Sequence, residues 1–141
     1  MEDRYLFKAK RLDNGEWVKG ALVYDDMDKL YRIITEIDYS SGTCMTTDKA
    51  PRVDASTICQ CTGLKDKNGK LIWENDIAKD EKGNFYKAIW RNNYYQFSWN
   101  CVKSEIFEVD AKWDLYTIRS FEIEVIGNIF DNLELLESEK L

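Results

Sequence analysis

The sequence predicts a mostly β protein with minor α content, opening on an antiparallel meander and ending in a short helix. Three observations predict it. Apolar residues recur at every second position in short segments, which is the period of a half-buried strand and not of a helix. The segments are divided by turns rich in Gly, Asn and Asp, with Asn14-Gly15 and Asn68-Gly69 as hairpin bends. Aromatic residues make up 13% of the 141 residues and Pro51 is the one proline, so strand formers are plentiful and strand breakers scarce.

The elements follow in order. Residues 5–10 (YLFKAK) read as a strand with Tyr5, Phe7 and Ala9 on one face. Asp13-Asn14-Gly15 turns the chain, because Asn and Gly tolerate positive φ. The second strand covers residues 16–24 and the third residues 30–37, completing the meander. Residues 39–54 collect small polar residues, a glycine and the proline, and read as a loop. Residues 56–62 form a short strand, 63–70 a polar turn, and Leu71-Ile72-Trp73 a second short strand. Glu74, Asn75 and Asp76 turn the chain before Ile77, and Glu81-Lys82-Gly83-Asn84 turns it again. Residues 85–90 and 94–99 read as a hairpin about Arg91-Asn92-Asn93, with Tyr95, Phe97 and Trp99 on one face and Tyr94, Gln96 and Ser98 on the other. Trp90 and Trp99 suit cross-strand pairing on a small barrel. These aromatics read either as core or as a platform on which a base or another flat ligand stacks. Residues 102–118 fit a strand pair or a short helix. Residues 121–130 alternate as a half-buried strand, with Gly127 at a bulge or bend. Asp131 would cap a terminal helix over 132–136, and 138–141 would fray.

Charge and cysteine narrow the function classes. Net charge is -6, and it is unevenly spread: residues 1–104 hold 17 bases and 16 acids, residues 105–141 hold 3 bases and 10 acids. An acidic C-terminal third works against binding of a nucleic-acid duplex; Lys8, Lys10, Arg11 and Lys19 read as a solvated strand face, with a local basic patch as the alternative. Histidine is absent, which removes His-based triads and histidine zinc sites. Cys44, Cys59, Cys61 and Cys101 lack metal-site spacing and read as structural thiols of a reducing cytoplasm. No run reaches the ~20 apolar residues of a membrane span, and MEDRYLFKAK carries no secretory h-region. There is no GxGxxG, P-loop or HExxH. The carboxylate pairs Glu74/Asp76 and Glu122/Glu124 would each share a strand face, the most that the chain offers toward magnesium or acid–base chemistry. Neither an enzyme nor a cofactor is expected.

Residues 60–77 (QCTGLKDKNGKLIWENDI) resemble the run Q-x-TGLKDKNGKxIxExDI of the YopX family of phage and prophage proteins. Residues 123–132 (IEVIGNIFDN) are similar to its closing IEVIGNIYEN, and Phe7-Lys8-Ala9 with Trp17 and Gly20 fit its opening. Two small departures occur: Asn75 stands where glycine is common, and Phe130-Asp131 replace Tyr-Glu. The resemblance implies a small SH3-like β-barrel, self-association and a bacterial or phage cytoplasmic setting. It implies no particular activity and carries over no catalytic residue. The expected organisation is a meander and loop over 1–55 packed on an SH3-like barrel region over 56–137.

The central motif reads as architecture, with Lys65, Asp66, Lys67 and Asn68 alternatively displaying an exposed recognition loop. Five tryptophans and eight tyrosines exceed what so small a core hides, so some of them, with Tyr94, Tyr95 and Trp99 as candidates, should lie at an interface. The expected function is therefore a non-enzymatic, self-associating interaction module. The alternatives are a nucleic-acid-binding small barrel, disfavoured by charge, and an acidic antagonist of a host protein. A membrane partner is not expected.

Overall fold

The computed structural model describes residues 3–36, 49–115 and 118–137. Ten strands account for most of the regular structure: β1 (Phe7–Lys10), β2 (Trp17–Asp25), β3 (Leu30–Ile34), β4 (Cys59–Lys65), β5 (Leu71–Trp73), β6 (Asp76–Lys79), β7 (Phe85–Arg91), β8 (Gln96–Lys103), β9 (Lys112–Asp114) and β10 (Glu124–Asn128). They form two antiparallel five-stranded sheets, ordered β3-β2-β1-β4-β5 and β10-β6-β7-β8-β9. The expected barrel is not found. A barrel needs its first and last strands to pair, and among the described residues each sheet keeps two edges. The expected terminal helix is a single 3-10 turn, Leu133–Leu136, and Asn132, not Asp131, occupies its cap. No described helix is long and apolar enough to cross a membrane.

The chain divides into two compact units, residues 1–61 and 62–141. In the first, β1 to β3 form the expected meander, registered by pairs such as Ala9↔Val18 and Leu22↔Ile33. Ala9, Ile33 and Val53 are buried, with Phe7, Val18, Leu22 and Ile58 packed against them. Tyr5 does not join that face; it sits exposed in a 3-10 turn. Gly20 lies between Val18 and Leu22 on the same strand face, and a Cβ there would fall against the Ile34 carbonyl oxygen across the ladder. Residues 49–53 are more ordered than a loop. Thr35 donates to the Lys49 carbonyl at 2.7 Å and Val53 to that of Tyr31 at 3.1 Å. Arg32 fixes the same segment: it donates to the Ala50 carbonyl, Asp25 and Asp28 at 2.9, 2.7 and 2.6 Å. Residues 39–48 of the predicted loop, Cys44 among them, lie outside the described residues, as do residues 138–141.

The second unit is built around Ile72, Ala78, Tyr86, Ala88, Trp99, Ile123 and Val125, which bury one face of the sheet. Tyr86 stands edge-on to Trp113 at 5.9 Å and tilted to Trp99 at 6.4 Å. The observed register pairs Ala88 with Trp99 and Trp90 with Phe97, so the two tryptophans are not cross-strand partners. Residues 102–118 resolve toward strand: β8 runs on to Lys103, and β9 pairs back through Trp99↔Trp113, with Tyr116 and Thr117 outside the described residues. Gly127 does mark a bulge, where the β10–β6 register shifts and a Cβ would collide with the Asn132 side chain. Asn75 has φ 71, a left-handed conformation that asparagine tolerates and that accounts for its standing where the resemblance implies glycine. Cys59, Cys61 and Cys101 are buried thiols; burial pushes the Cys101 thiol up, away from reactivity.

Candidate interaction site

The β7–β8 hairpin gathers three exposed aromatics, Trp90, Tyr94 and Tyr95. Trp90 ends the core-facing row of β7 and stacks edge-on against Phe97 at 5.1 Å, beyond the point where the core covers the sheet. Its indole N–H donates to Asn92 Oδ1 at 2.7 Å, which fixes the ring at 41% exposure. The Arg91 guanidinium lies 4.2 Å from the Tyr94 ring centroid. Tyr94 and Tyr95 are 61% and 83% exposed. Tyr95 has φ 51, a left-handed conformation that costs a bulky side chain about 1–2 kcal/mol. The strand starts only at Gln96, so Tyr95 leaves the face that Phe97 and Trp99 share. Strict alternation would have kept the three together. Trp99 itself is fully buried in the core and belongs to no surface.

The motif turn at 65–68 separates into two kinds of residue. Asp66 is buried at 5% exposure, contrary to its expected place on a recognition loop. Its Oδ1 accepts the amides of Asn68 and Lys70, and its Oδ2 the amide of Val125, each at 2.9 Å. Lys67 N–H donates to the Ile123 carbonyl at 2.9 Å. The turn is thereby fastened to a segment more than fifty residues later. Burial alone would raise the Asp66 carboxyl; the three amides and the nearby Lys70 charge outweigh it and hold the group below the usual carboxylate range. Lys65, Lys67 and Asn68 keep exposed side chains. Of the two sequence readings of this motif, the buried Asp66 fits the architectural one, through a partner, Val125, that is remote in sequence.

In the first unit, the Lys8 and Lys10 ammonium groups lie 4.6 and 5.4 Å from the Trp17 ring centroid. Lys8 pairs with Lys19 and Lys10 with Trp17, so all four occupy one sheet face. Arg11 does not join them; it forms a two-point contact with Asp13 at 2.7 and 2.9 Å.

A third feature escaped the sequence. A cleft of about 480 Å³ opens between the β6–β7 turn, residues 106–107 and residues 118–123. Asp80 organises its inner wall. Its Oδ1 accepts the amides of Lys82 and Asn84, and its Oδ2 accepts Asn84 Nδ2 at 2.9 Å and the Tyr86 hydroxyl at 2.8 Å. Ser104 donates to Asn84 Oδ1 at 2.6 Å and accepts the amides of Ile106 and Phe107. Burial, followed by the Asp80 carboxylate, raises the Tyr86 hydroxyl far above the usual tyrosine value. The hydroxyl is held as a donor to Asp80 Oδ2. Of the carboxylates paired in the sequence, Asp76 is buried on the Trp73 amide at 2.8 Å, and Glu122 lies in a 3-10 turn, off the strand carrying Glu124. Among the described residues no cluster of His, Cys, Asp or Glu is placed to hold a metal ion.

Comparison with known proteins agrees with this architecture. The family model described as YopX protein matches residues 6–137. The crystal structure of protein EF1440 from Enterococcus faecalis superposes with a TM-score of 0.55 at 27% sequence identity, covering 93% of this chain and 96% of that one. No curated protein matches. With a β fold of two sheets, and with the family match running nearly end to end, the chain belongs to the YopX family.

Proposed function

We propose that the chain is a non-enzymatic binding module of phage type that associates with copies of itself through the β7–β8 tip. One observation carries this reading: Tyr95 is 83% exposed in a left-handed conformation. The fold gains nothing from a bulky side chain there and would be better served by asparagine or glycine. A strained aromatic that faces solvent is accounted for by a contact outside the chain. Trp90, Arg91 and Tyr94 beside it are the residue types that dominate binding energy at interfaces.

Sedimentation equilibrium tests the reading. Wild-type protein is expected to exceed its 16.6 kDa monomer mass as concentration rises. Tyr95→Asn suits the backbone, so it should keep the melting temperature while weakening association by about ten-fold or more. A wild type that stays monomeric to about 100 μM rejects self-association. A Tyr95→Asn variant that associates as tightly as wild type rejects the tip.

The Lys8, Lys10, Lys19 and Trp17 face favours a second reading, single-stranded nucleic-acid binding by charge and stacking. Filter binding at low and moderate salt decides it, because absence of salt-sensitive retention removes this reading.

A further inference from the structure

The cleft of the second unit has a composition that the hairpin tip does not explain. Its exposed side is apolar: Ile106 is 68% and Phe107 38% exposed, and Ile118 lines the wall behind them. The backbone carrying Ile106 and Phe107 is nevertheless held, because both amides bond to Ser104 Oγ at 3.0 and 2.9 Å. Phe107 is also braced edge-on against Trp113 at 4.8 Å. These side chains are thus presented to solvent on a fixed frame, at a concave surface large enough for one or two side chains.

The surrounding charge is one-sided. Asp80, Glu81 and Glu122 line the cleft against the single base Lys82. Residues 105–110 add Glu105, Glu108 and Asp110 with no base. Asp80 spends its hydrogen bonds on the wall and contributes only its field, whereas Glu81 and Glu122 have exposed carboxylates. The Arg119–Glu122 pair is 3.8 Å apart and mostly exposed, so an incoming cation exchanges with it readily. An apolar wall of Phe107 and Ile118 beside the exposed Glu81 and Glu122 disfavours nucleic acid and anionic lipid, and selects an apolar side chain flanked by cations.

We propose that this cleft docks a basic amphipathic segment of a partner protein. An aliphatic or aromatic side chain of the segment lies against Phe107 and Ile118, and its neighbouring lysines or arginines meet Glu81 and Glu122.

The test titrates the full chain, labelled with nitrogen-15, with three short peptides of equal length: alternating Lys/Leu, alternating Lys/Ser and alternating Glu/Leu. The Lys/Leu peptide is expected to shift the amides of Lys82, Asn84, Phe107 and Glu122 saturably. Its Kd should rise several-fold between about 50 and about 200 mM salt. The Lys/Ser and Glu/Leu peptides should leave those amides in place. Phe107→Ser and, separately, the exposed Glu122→Lys should each raise the Kd about ten-fold or more. Glu122→Lys keeps the test decisive if Phe107→Ser disturbs folding, and Tyr95→Asn should bind as wild type, which separates this site from the hairpin tip. The proposal fails if the Lys/Leu peptide moves none of these amides. It fails equally if Lys/Ser binds as well, or if a natively folded Phe107→Ser or Glu122→Lys variant retains the wild-type Kd.

Discussion

Replacing Asp66 by alanine removes one carboxylate and strands three amides at once. Hydrogen bonds to a charged acceptor contribute about 1.5–3 kcal/mol each when buried, less where water can substitute. The Val125 amide belongs to a buried residue and loses its acceptor outright, whereas the Asn68 and Lys70 amides lie on an exposed turn and regain water. A loss of about 3 kcal/mol from the first and under about 1 kcal/mol from each of the others gives about 3–5 kcal/mol, a large share of the ~5–15 kcal/mol of a typical domain. Urea unfolding followed by tryptophan fluorescence measures it, with the m-value unchanged if the folded state is otherwise intact. The pH dependence adds a sign. The folded carboxyl sits below its ordinary value of 3.8, so the unfolded chain binds more protons through that window and stability falls on acidification. The Asp66 contribution is complete above the unfolded pKa and is lost as pH drops through the folded one. The difference between wild type and Asp66→Ala should therefore narrow as pH falls. A difference under about 1 kcal/mol at neutral pH, or one independent of pH, would refute the assignment of Asp66 as a staple.

Other substitutions probe the frame. Gly20→Ala drives a Cβ into the Ile34 carbonyl and should destabilise by about 1–3 kcal/mol, read as a lowered urea midpoint. Tyr86→Phe removes the hydroxyl that donates to Asp80 and should cost about 1–2 kcal/mol, with the near-ultraviolet circular dichroism of the aromatic core retained. At Asn75, glycine should be nearly neutral and alanine should cost about 1 kcal/mol in thermal unfolding, because φ 71 suits Asn and Gly but not Ala.

Local chemistry was legible in the sequence, and remote partners were not. Asn-Gly bends, strand alternation and the bulge at Gly127 rest on neighbours a few residues apart, and the structure places them where the sequence does. Alternation assigns Trp99 to a face without saying whether that face is covered, and the structure puts it in the core. It failed at Tyr95 because the left-handed turn rotates that side chain out of the strand pattern. The fate of Asp66 depended on Val125, and the cleft depends on three segments brought together by the sheet. Exposed aromatics were expected from their number alone; which ones are exposed required the register, in which Trp90 faces Phe97 at the open end of the hairpin.

The order β10-β6-β7-β8-β9 has a consequence during synthesis. The ribosome delivers β6 through β9 first, so this group emerges with one flank of β6 unmatched and without Ile123 and Val125, which come with the last segment. Until β10 arrives, the nascent second unit offers a bare strand to any neighbouring chain, and polysomes crowd such neighbours together. Pairing of β10 with β6, more than the speed of the early hairpins, closes that window.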